Sequence, residues 1–356
     1  MPLFKAEGHT RVRLVEVLAV SGLTMEIGCF ESPGKDWDEF ASRYTDLIFY
    51  QSIWSELLRK GLGGQPLYFY LKEGGEIVAG LPGVLLTFSF FKIFYASIPY
   101  GGLIGKKDFF PLFMELIEKE FERKGIDQVR IAESPFSVRY PFETFKSIPA
   151  KCSLLDLRRF NQERVWENYR GEVRRAIRKA RNQGLSVKGI DSPEEAKVFY
   201  GLYLASMRRN RTGAKYPLQW FQALYDILIQ KGKADIRFAI KENQYAAGVV
   251  LTYSSTSIHY LHNGSDPIHL ENRPNDLIVD DIIQRGVKEG RIFLDFMGSD
   301  QGDLNLLRFK EKWGSQSLDI HTYVRDYHPL RSAIWEIGKR GMSSRLGIGL
   351  SRIFRS

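Results

Sequence analysis

Read by the spacing of its apolar positions, the chain alternates strand-like runs with amphipathic helices, and it does so twice in the same order. Strand-like signals at 12–15 and 23–27 precede helical patterns at 37–44 and 51–58. From there Leu67–Leu71 reads as a strand, Lys72-Glu73-Gly74-Gly75 as a turn, 76–88 as a second strand and Ile93–Ile98 as a third. The loop Pro99-Tyr100-Gly101-Gly102 leads to a helix over 109–124, stopped by Gly125, and a strand over 127–132. The later half repeats this: strand 236–241, turn Glu242-Asn243-Gln244, strand 245–253 and strand 257–261. The loop Asn263-Gly264-Ser265 then leads to a helix over 275–289, stopped by Gly290, and a strand over 292–296. Glycine after each helix is the expected C-terminal stop. An internal duplication of this kind predicts an α/β (α+β) chain of two tandem units, each a mixed sheet flanked by helices. Such a sheet splays where its antiparallel and parallel parts meet, leaving a crevice for ligands in each unit.

Between the repeats the pattern is helical. Val165, Tyr169, Val173, Ala176, Ile177 and Ala180 form one apolar stripe, which predicts a helix over 164–181. A second helix starts at Ser192-Pro193-Glu194-Glu195, a capping box with proline at its first position, and runs toward Arg209. A third opens at Pro217 and carries Phe221, Leu224 and Leu228. Residues 77–98 are nearly continuous in apolar side chains. They include Gly80, Pro82, Gly83 and Lys92 and are dense in Val, Phe and Tyr, so they read as two buried strands rather than a spanning helix. At the C-terminus Ile334, Ile337, Leu346, Leu350, Ile353 and Phe354 combine with Lys339, Arg340, Arg345, Arg352 and Arg355 into a basic amphipathic tail, with a break expected at Gly341–Ser344. Docking of this tail onto the fold is the favoured expectation, with peripheral membrane contact as the alternative.

Composition narrows the partners more than the fold. A chain of 356 residues with 44% hydrophobic and 26% charged side chains is a soluble globular protein with room for two domains. The formal net charge of +9 points to anionic partners: RNA, phosphorylated substrates or an acidic membrane surface. Cys29 and Cys152 stand far apart with no CxxC, so no disulfide framework or zinc knuckle is implied, and the N-terminus lacks the apolar core of a signal peptide. These features place the protein in the cytoplasm, with the inner face of the membrane as a further option.

Four arginines on one face of the 164–181 segment, Arg170, Arg174, Arg178 and Arg181, are the candidate phosphate or nucleic-acid surface, because guanidinium groups donate to phosphate in a planar fork. His259, His262 and His269 with Asp266 resemble a metal cluster, but positions 259 and 262 of a strand point to opposite faces, so no shared ion is expected. Gly298-Ser299-Asp300-Gln301-Gly302 is not a nucleophile elbow, and neither a P-loop nor a GxGxxG fingerprint occurs.

The strings FYQSIW, PYGGLIG, RRAIRKA, NRPNDLI, LDFMGS and FKEKWG, in this order between about Phe49 and Tyr323, resemble the Fem-type aminoacyltransferases, a family built from two GNAT units. The resemblance implies a first GNAT-like unit over 1–155, with 325–356 packing back on it, and a second over 156–324. It implies a transferase moving an aminoacyl or acyl group from an activated donor to an amine, commonly on a cell-wall precursor. The pyrophosphate loop by which many GNAT enzymes hold coenzyme A, Q/R-x-x-G-x-G/A, does not occur. That tilts the donor toward aminoacyl-tRNA, with acetyl-coenzyme A as the alternative. No tightly bound cofactor, no metal and no stable protein partner is implied. Lys310 matches the family's lysine beside the forming oxyanion, with Phe309 next to it. Arg209 or Arg211 matches the arginine of the acceptor channel, and Tyr100 belongs to the matched loop of the first unit. Asp295, at the end of a strand facing the crevice, and Tyr260 are the candidates for accepting the amine proton. The family's inserted helical hairpin has no room here, and Lys106-Lys107-Asp108 does not reproduce the acidic position that holds the muramyl-peptide nucleotide, so the acceptor stays open: a peptidoglycan precursor, an exopolysaccharide amine or a protein N-terminus. The remaining alternative is a non-catalytic RNA- or membrane-binding protein.

Overall fold

The computed structural model describes residues 12–20, 23–299 and 302–345, with side chains over 24–299 and 302–337. Contacts divide the chain into two units, residues 1–148 with 321–335, and residues 149–320 with 336–356.

The first unit begins with β1 (Val12–Val20) and β2 (Leu23–Phe30), followed by α1 (Lys35–Ser42) and α2 (Ser52–Leu62). Next come β3 (Gln65–Pro66), β4 (Tyr68–Glu73), β5 (Glu76–Leu81), β6 (Val84–Phe88), β7 (Phe91–Tyr95) and β8 (Ile104–Gly105). Helix α3 (Phe110–Arg123) crosses over to β9 (Gln128–Ala132). Strands β1, β2, β4, β5 and β8 form one sheet, whereas β3, β6, β7 and β9 lie in a second. The single strand expected over 76–88 is therefore two strands in different sheets. Pro82 has no N–H to continue the ladder, and a Cβ on Gly83 would sit 2.1 Å from the Phe94 ring, so the backbone bends there. Strand β7 pairs in parallel with β9 over three residues, Ile93–Tyr95 against Gln128–Arg130. The core between sheet and helix holds Phe69, Phe94, Phe113, Ile117, Phe121 and Val129.

The chain passes into the second unit along β10 (Lys146–Asp156) and returns to the first along β16 (Gln316–Asp326). Between these lie α4 (Gly171–Asn182), β11 (Ser186–Gly189), α5 (Glu194–Arg209), α6 (Leu218–Ile227), β12 (Ala234–Lys241), β13 (Gln244–Tyr253), β14 (Ser257–Ser265), α7 (Pro274–Lys288), β15 (Phe293–Ser299) and α8 (Leu304–Glu311). The strand order is β11-β12-β13-β14-β15-β10, antiparallel except for β14 with β15. Helix α4 is shorter than the 164–181 stripe suggests. Residues Val165–Asn168 form a separate 3-10 turn, and the extended backbone of Tyr169 and Arg170 breaks the run, leaving Arg170 as N-cap. Gly264 explains how closely α5 sits on the sheet, since a Cβ there would meet the Tyr203 backbone nitrogen at 2.4 Å.

The last element, α9 (Pro329–Arg345), runs without a break through the glycine and serines at 341–344. Its first turns lie in the first unit, where Trp335 stacks on Phe88 and Phe91 at ring-centroid distances of 4.7 and 5.3 Å. The tail residues Leu346, Leu350, Arg352, Ile353, Phe354 and Arg355 lie outside the described residues. Among the described residues no helix is long and apolar enough to cross a membrane.

Candidate active site

The site grows from the short parallel contact in the second unit. Strands β14 and β15 pair only over Ser257–His259 and Phe293–Asp295. Beyond that point β14 continues along β13 and β15 continues along β10, so the two strands part and open a crevice. Three residues set its vertex. Asp295, third in β15 rather than at the strand's end, is fully buried. Its Oδ1 accepts from the Cys152 thiol (3.2 Å) and from the Met297 N–H (2.8 Å), and its Oδ2 lies 3.1 Å from His259 Nδ1. Both carboxylate oxygens are thus engaged by the protein, and neither faces the crevice.

The Asp295–Met297 bond holds Met297 in the left-handed region at φ 64°, an unusual conformation for a side chain of this size. That turn directs the Met297 carbonyl at Lys310. Lys310 Nζ donates to Met297 O at 2.9 Å and to Ser299 Oγ at 2.6 Å. An ammonium has three N–H donors, and among the described residues two of them have partners. Lys310 is only 4% exposed, and burial pushes its amine down from 10.5 to about 8, against the opposing pull of Cys152, Asp295 and Asp303. The alternative of an exposed helix lysine in a charged cluster is excluded by this burial. The helix explains it. Leu306, Phe309, Lys310 and Trp313 follow one another at helical spacing, so Lys310 occupies the inward stripe while Glu311 faces solvent. That stripe was present in the sequence and is the signal for the burial of Lys310. Ser299, His259 and the Met297 carbonyl gave no comparable signal.

Helix α8 is held at both ends. Asp303 caps it through Leu306 N (3.1 Å), and Arg159 donates to the carbonyls of Gly314 (2.8 Å) and Trp313 (3.2 Å) beyond its last turn. Lys312 lies over the Phe309 ring at 4.5 Å and pairs with the buried Asp276 of α7. Phe309 is thereby packed against the core beside Lys310.

The other sequence candidates fall as follows. Tyr260 follows His259 on β14 and is buried, its ring 5.7 Å from Phe296. Burial raises its phenol well above the usual range, with Asp276 adding to the effect, so it stays protonated at neutral pH. Arg209, at the end of α5, donates to Ser265 O (3.4 Å) and to Ser206 Oγ (3.3 Å), fixing the far end of β14. It lines, with Arg208, Tyr245, Asp266 and Pro267, a groove of about 700 Å³. Arg211 is exposed in a left-handed turn at φ 53°. Tyr100 is buried in the first unit, edge-on to Phe49 at 5.8 Å. Of the four arginines, Arg170 and Arg178 are exposed and Arg174 is half-buried. Arg181 is neutralised by Asp280 at 2.7 Å, and Arg178 and Arg181 both cover Trp166 at about 5.5 Å. His262 accepts from Trp220 Nε1 at 3.0 Å, and burial lowers its imidazole to about 3. It and His259 have separate partners, and the described residues contain no group that could hold a metal ion.

Comparison with known proteins bears on the domain and the fold. Residues 167–311 match the model of the acetyltransferase (GNAT) domain, a span that ends just past Lys310. No curated protein sequence matches the chain. Among solved structures, FemX superposes with a TM-score of 0.65 at 14% identity, over 85% of this chain and 98% of that one. A tandem GNAT protein from the clavulanic acid biosynthesis pathway gives 0.58 at 11% identity, over 85% and 98%. L-PGS from Bacillus licheniformis gives 0.55 at 13% identity, over 88% and 98%. The chain is a GNAT-fold transferase with an architecture similar to that of the Fem-type tandem proteins.

Proposed function

We propose that the chain transfers an aminoacyl group from aminoacyl-tRNA to an amine of a cell-envelope precursor, with Lys310 as the catalytic cation. The observation that carries this reading is the buried ammonium with two N–H groups fixed and the third without a partner among the described residues. The amine nitrogen attacks the ester carbonyl carbon, and the carbonyl π pair moves onto oxygen. The third N–H of Lys310 stabilises that oxyanion, in a site where low polarity strengthens the interaction. Collapse re-forms the carbonyl and breaks the bond to the ribose oxygen, which leaves with the proton lost by the amine. Asp295 acts as a positioning residue, since its oxygens hold the Met297 turn rather than a substrate.

Two features support tRNA over a coenzyme donor. Phosphates favour a helix N-terminus that opens beside the crevice, here that of α7. Pro274 has no N–H to offer, and the N–H groups of Asp276 and Leu277 already bond Arg273 O. The Asp276 carboxylate beside this terminus already holds Lys312, so that cation is engaged within the protein. These engaged N–H groups favour a donor other than coenzyme A. The exposed Arg170 and Arg178, with the half-buried Arg174, suit an RNA backbone. The acyl-coenzyme A alternative rests on the matched acetyltransferase domain model.

Side-by-side titration with charged tRNA and acetyl-coenzyme A separates the two. Salt-sensitive tRNA binding with no coenzyme binding is the expected result, whereas preference for the coenzyme overturns the donor assignment.

A further inference from the structure

The outer face of α9 is unlike the rest of the first unit's surface. Leu330 is 82% exposed and Ile334 is 59% exposed. Spaced four residues apart on the helix, they share one face, and Ile337, also exposed, continues it a turn later. The opposite face is anchored. Trp335 stacks on Phe88 and Phe91, and Arg331 pairs with Asp127 at 2.8 Å while donating to the Phe90 carbonyl. The exposed isoleucines and leucine are thus not a docking face that failed to dock. The docking face is a different one, and it is occupied.

Beside this stripe stands the tip of the β6–β7 hairpin, whose two-residue turn, Ser89-Phe90, projects Phe90 at 47% exposure. Its ring is 6.3 Å from Trp335, which places the hairpin tip against the helix. An exposed aromatic tip next to an exposed aliphatic stripe is a surface that water penalises and an acyl-chain boundary accepts. The charge of the segment selects the kind of boundary. With Arg331 already paired to Asp127, residues 332–356 carry Lys339, Arg340, Arg345, Arg352 and Arg355 against a single acid, Glu336. A positive excess of this size is drawn to anionic lipid headgroups.

We infer that Phe90, Leu330 and Ile334 form a membrane-surface docking site that lays α9 in the interface of an anionic bilayer. The helix serves both units of meaning found in its sequence: Trp335 fixes it to the protein, and the opposite face enters the lipid boundary. This inference is independent of the donor, the acceptor and Lys310.

The test is co-flotation of the full chain with vesicles of phosphatidylcholine alone, or with roughly one third phosphatidylglycerol. Binding to the anionic vesicles, weakened by salt, is expected. Leu330→Asp with Ile334→Asp should reduce partitioning by about tenfold or more, and Phe90→Asp by several-fold. Circular dichroism and melting temperature verify that these variants fold. Lys310→Ala should float like the parent protein, so loss of the transferase reading leaves this one standing. Equal flotation of parent and double variant overturns the proposal. So does a parent protein that ignores vesicles but is a dimer in solution, with the double variant monomeric, which would make the stripe a contact between two copies of the chain.

Discussion

The two units use one plan for different ends, and the difference lies at a single place in the sheet. In each, a strand pairs in parallel for three residues with the strand that follows a crossover helix: β7 with β9, and β14 with β15. At the last pair of the contact the first unit has Tyr95 opposite Arg130, and the second has His259 opposite Asp295. Past that point the first unit closes. Gly101 N bonds Ala132 O, Trp54 Nε1 bonds Ile98 O, and Ser97 Oγ bonds Phe49 O, so the loop after β7 fills the space between the strands. In the second unit the strands stay apart, and α8 brings Lys310 to the opening. After β9 the first unit has no helix in the corresponding stretch, residues 133–145. A duplicated sheet thus becomes a site where the stretch after the crossover strand, helix-free in one copy, forms in the other a helix carrying one cation.

That contrast can be broken most directly at Lys310. Lys310→Met is expected to lower kcat/KM by about 10²–10³-fold, the size found when one oxyanion donor is removed. Thermal unfolding at pH 7 should show a melting temperature equal to or above that of the parent protein. The buried cation costs folding energy below its pKa of about 8, because the unfolded lysine holds its proton up to 10.5. A variant that unfolds easily, or one that keeps full activity, would place Lys310 with the packing residues instead.

Charge reversal of Arg174 and Arg178 to Glu comes next. It should weaken tRNA binding by about tenfold or more at moderate salt and flatten the salt dependence, as read by titration. Affinity that ignores both changes would return this face to plain solvation.

A smaller effect is expected from pH. The active form of Lys310 is the cation, so single-turnover transfer should be level below pH 7 and decline as pH rises through about 8. An acceptor amine of low basicity keeps its own titration out of this window. A rate that climbs steadily to pH 10 would show that the charge is not needed.

The smallest effect should come from the closed copy. Tyr100→Phe is expected to change kcat/KM by less than about twofold, since its edge-on ring contact with Phe49 survives the substitution. A large loss of activity would show that the first unit contributes to substrate binding.

Much of the architecture was legible because it rests on period and punctuation. The repeated order of strands, the glycine stops and the starts of the helices at 218 and 274 follow, to within a residue, from local pattern. What escaped was governed by contacts distant in sequence. Nothing local to 76–88 says that its two ends join different sheets, although Pro82-Gly83 marks where they part. The arginine stripe continues through Tyr169 and Arg170, where the backbone is extended, because side-chain periodicity does not report backbone angle. Asp295 was legible as a polar residue at a strand, but its engagement depends on Cys152, 143 positions away, and on a left-handed Met297 that no spacing rule predicts. Lys310 was found through its motif, and its burial could have been found through its stripe.

The two hydrogen bonds that fix Lys310 have a further consequence. Near pH 8 about half the lysines lack the third proton and carry a lone pair instead, so the same nitrogen that stabilises an acyl oxygen could attack an acyl carbon. Met297 O and Ser299 Oγ hold the nitrogen's other directions, and the crevice then decides which atom of the ester it meets. Self-acylation is held off by aim rather than by reactivity. A small electrophile that escapes this alignment should therefore mark Lys310 despite its burial.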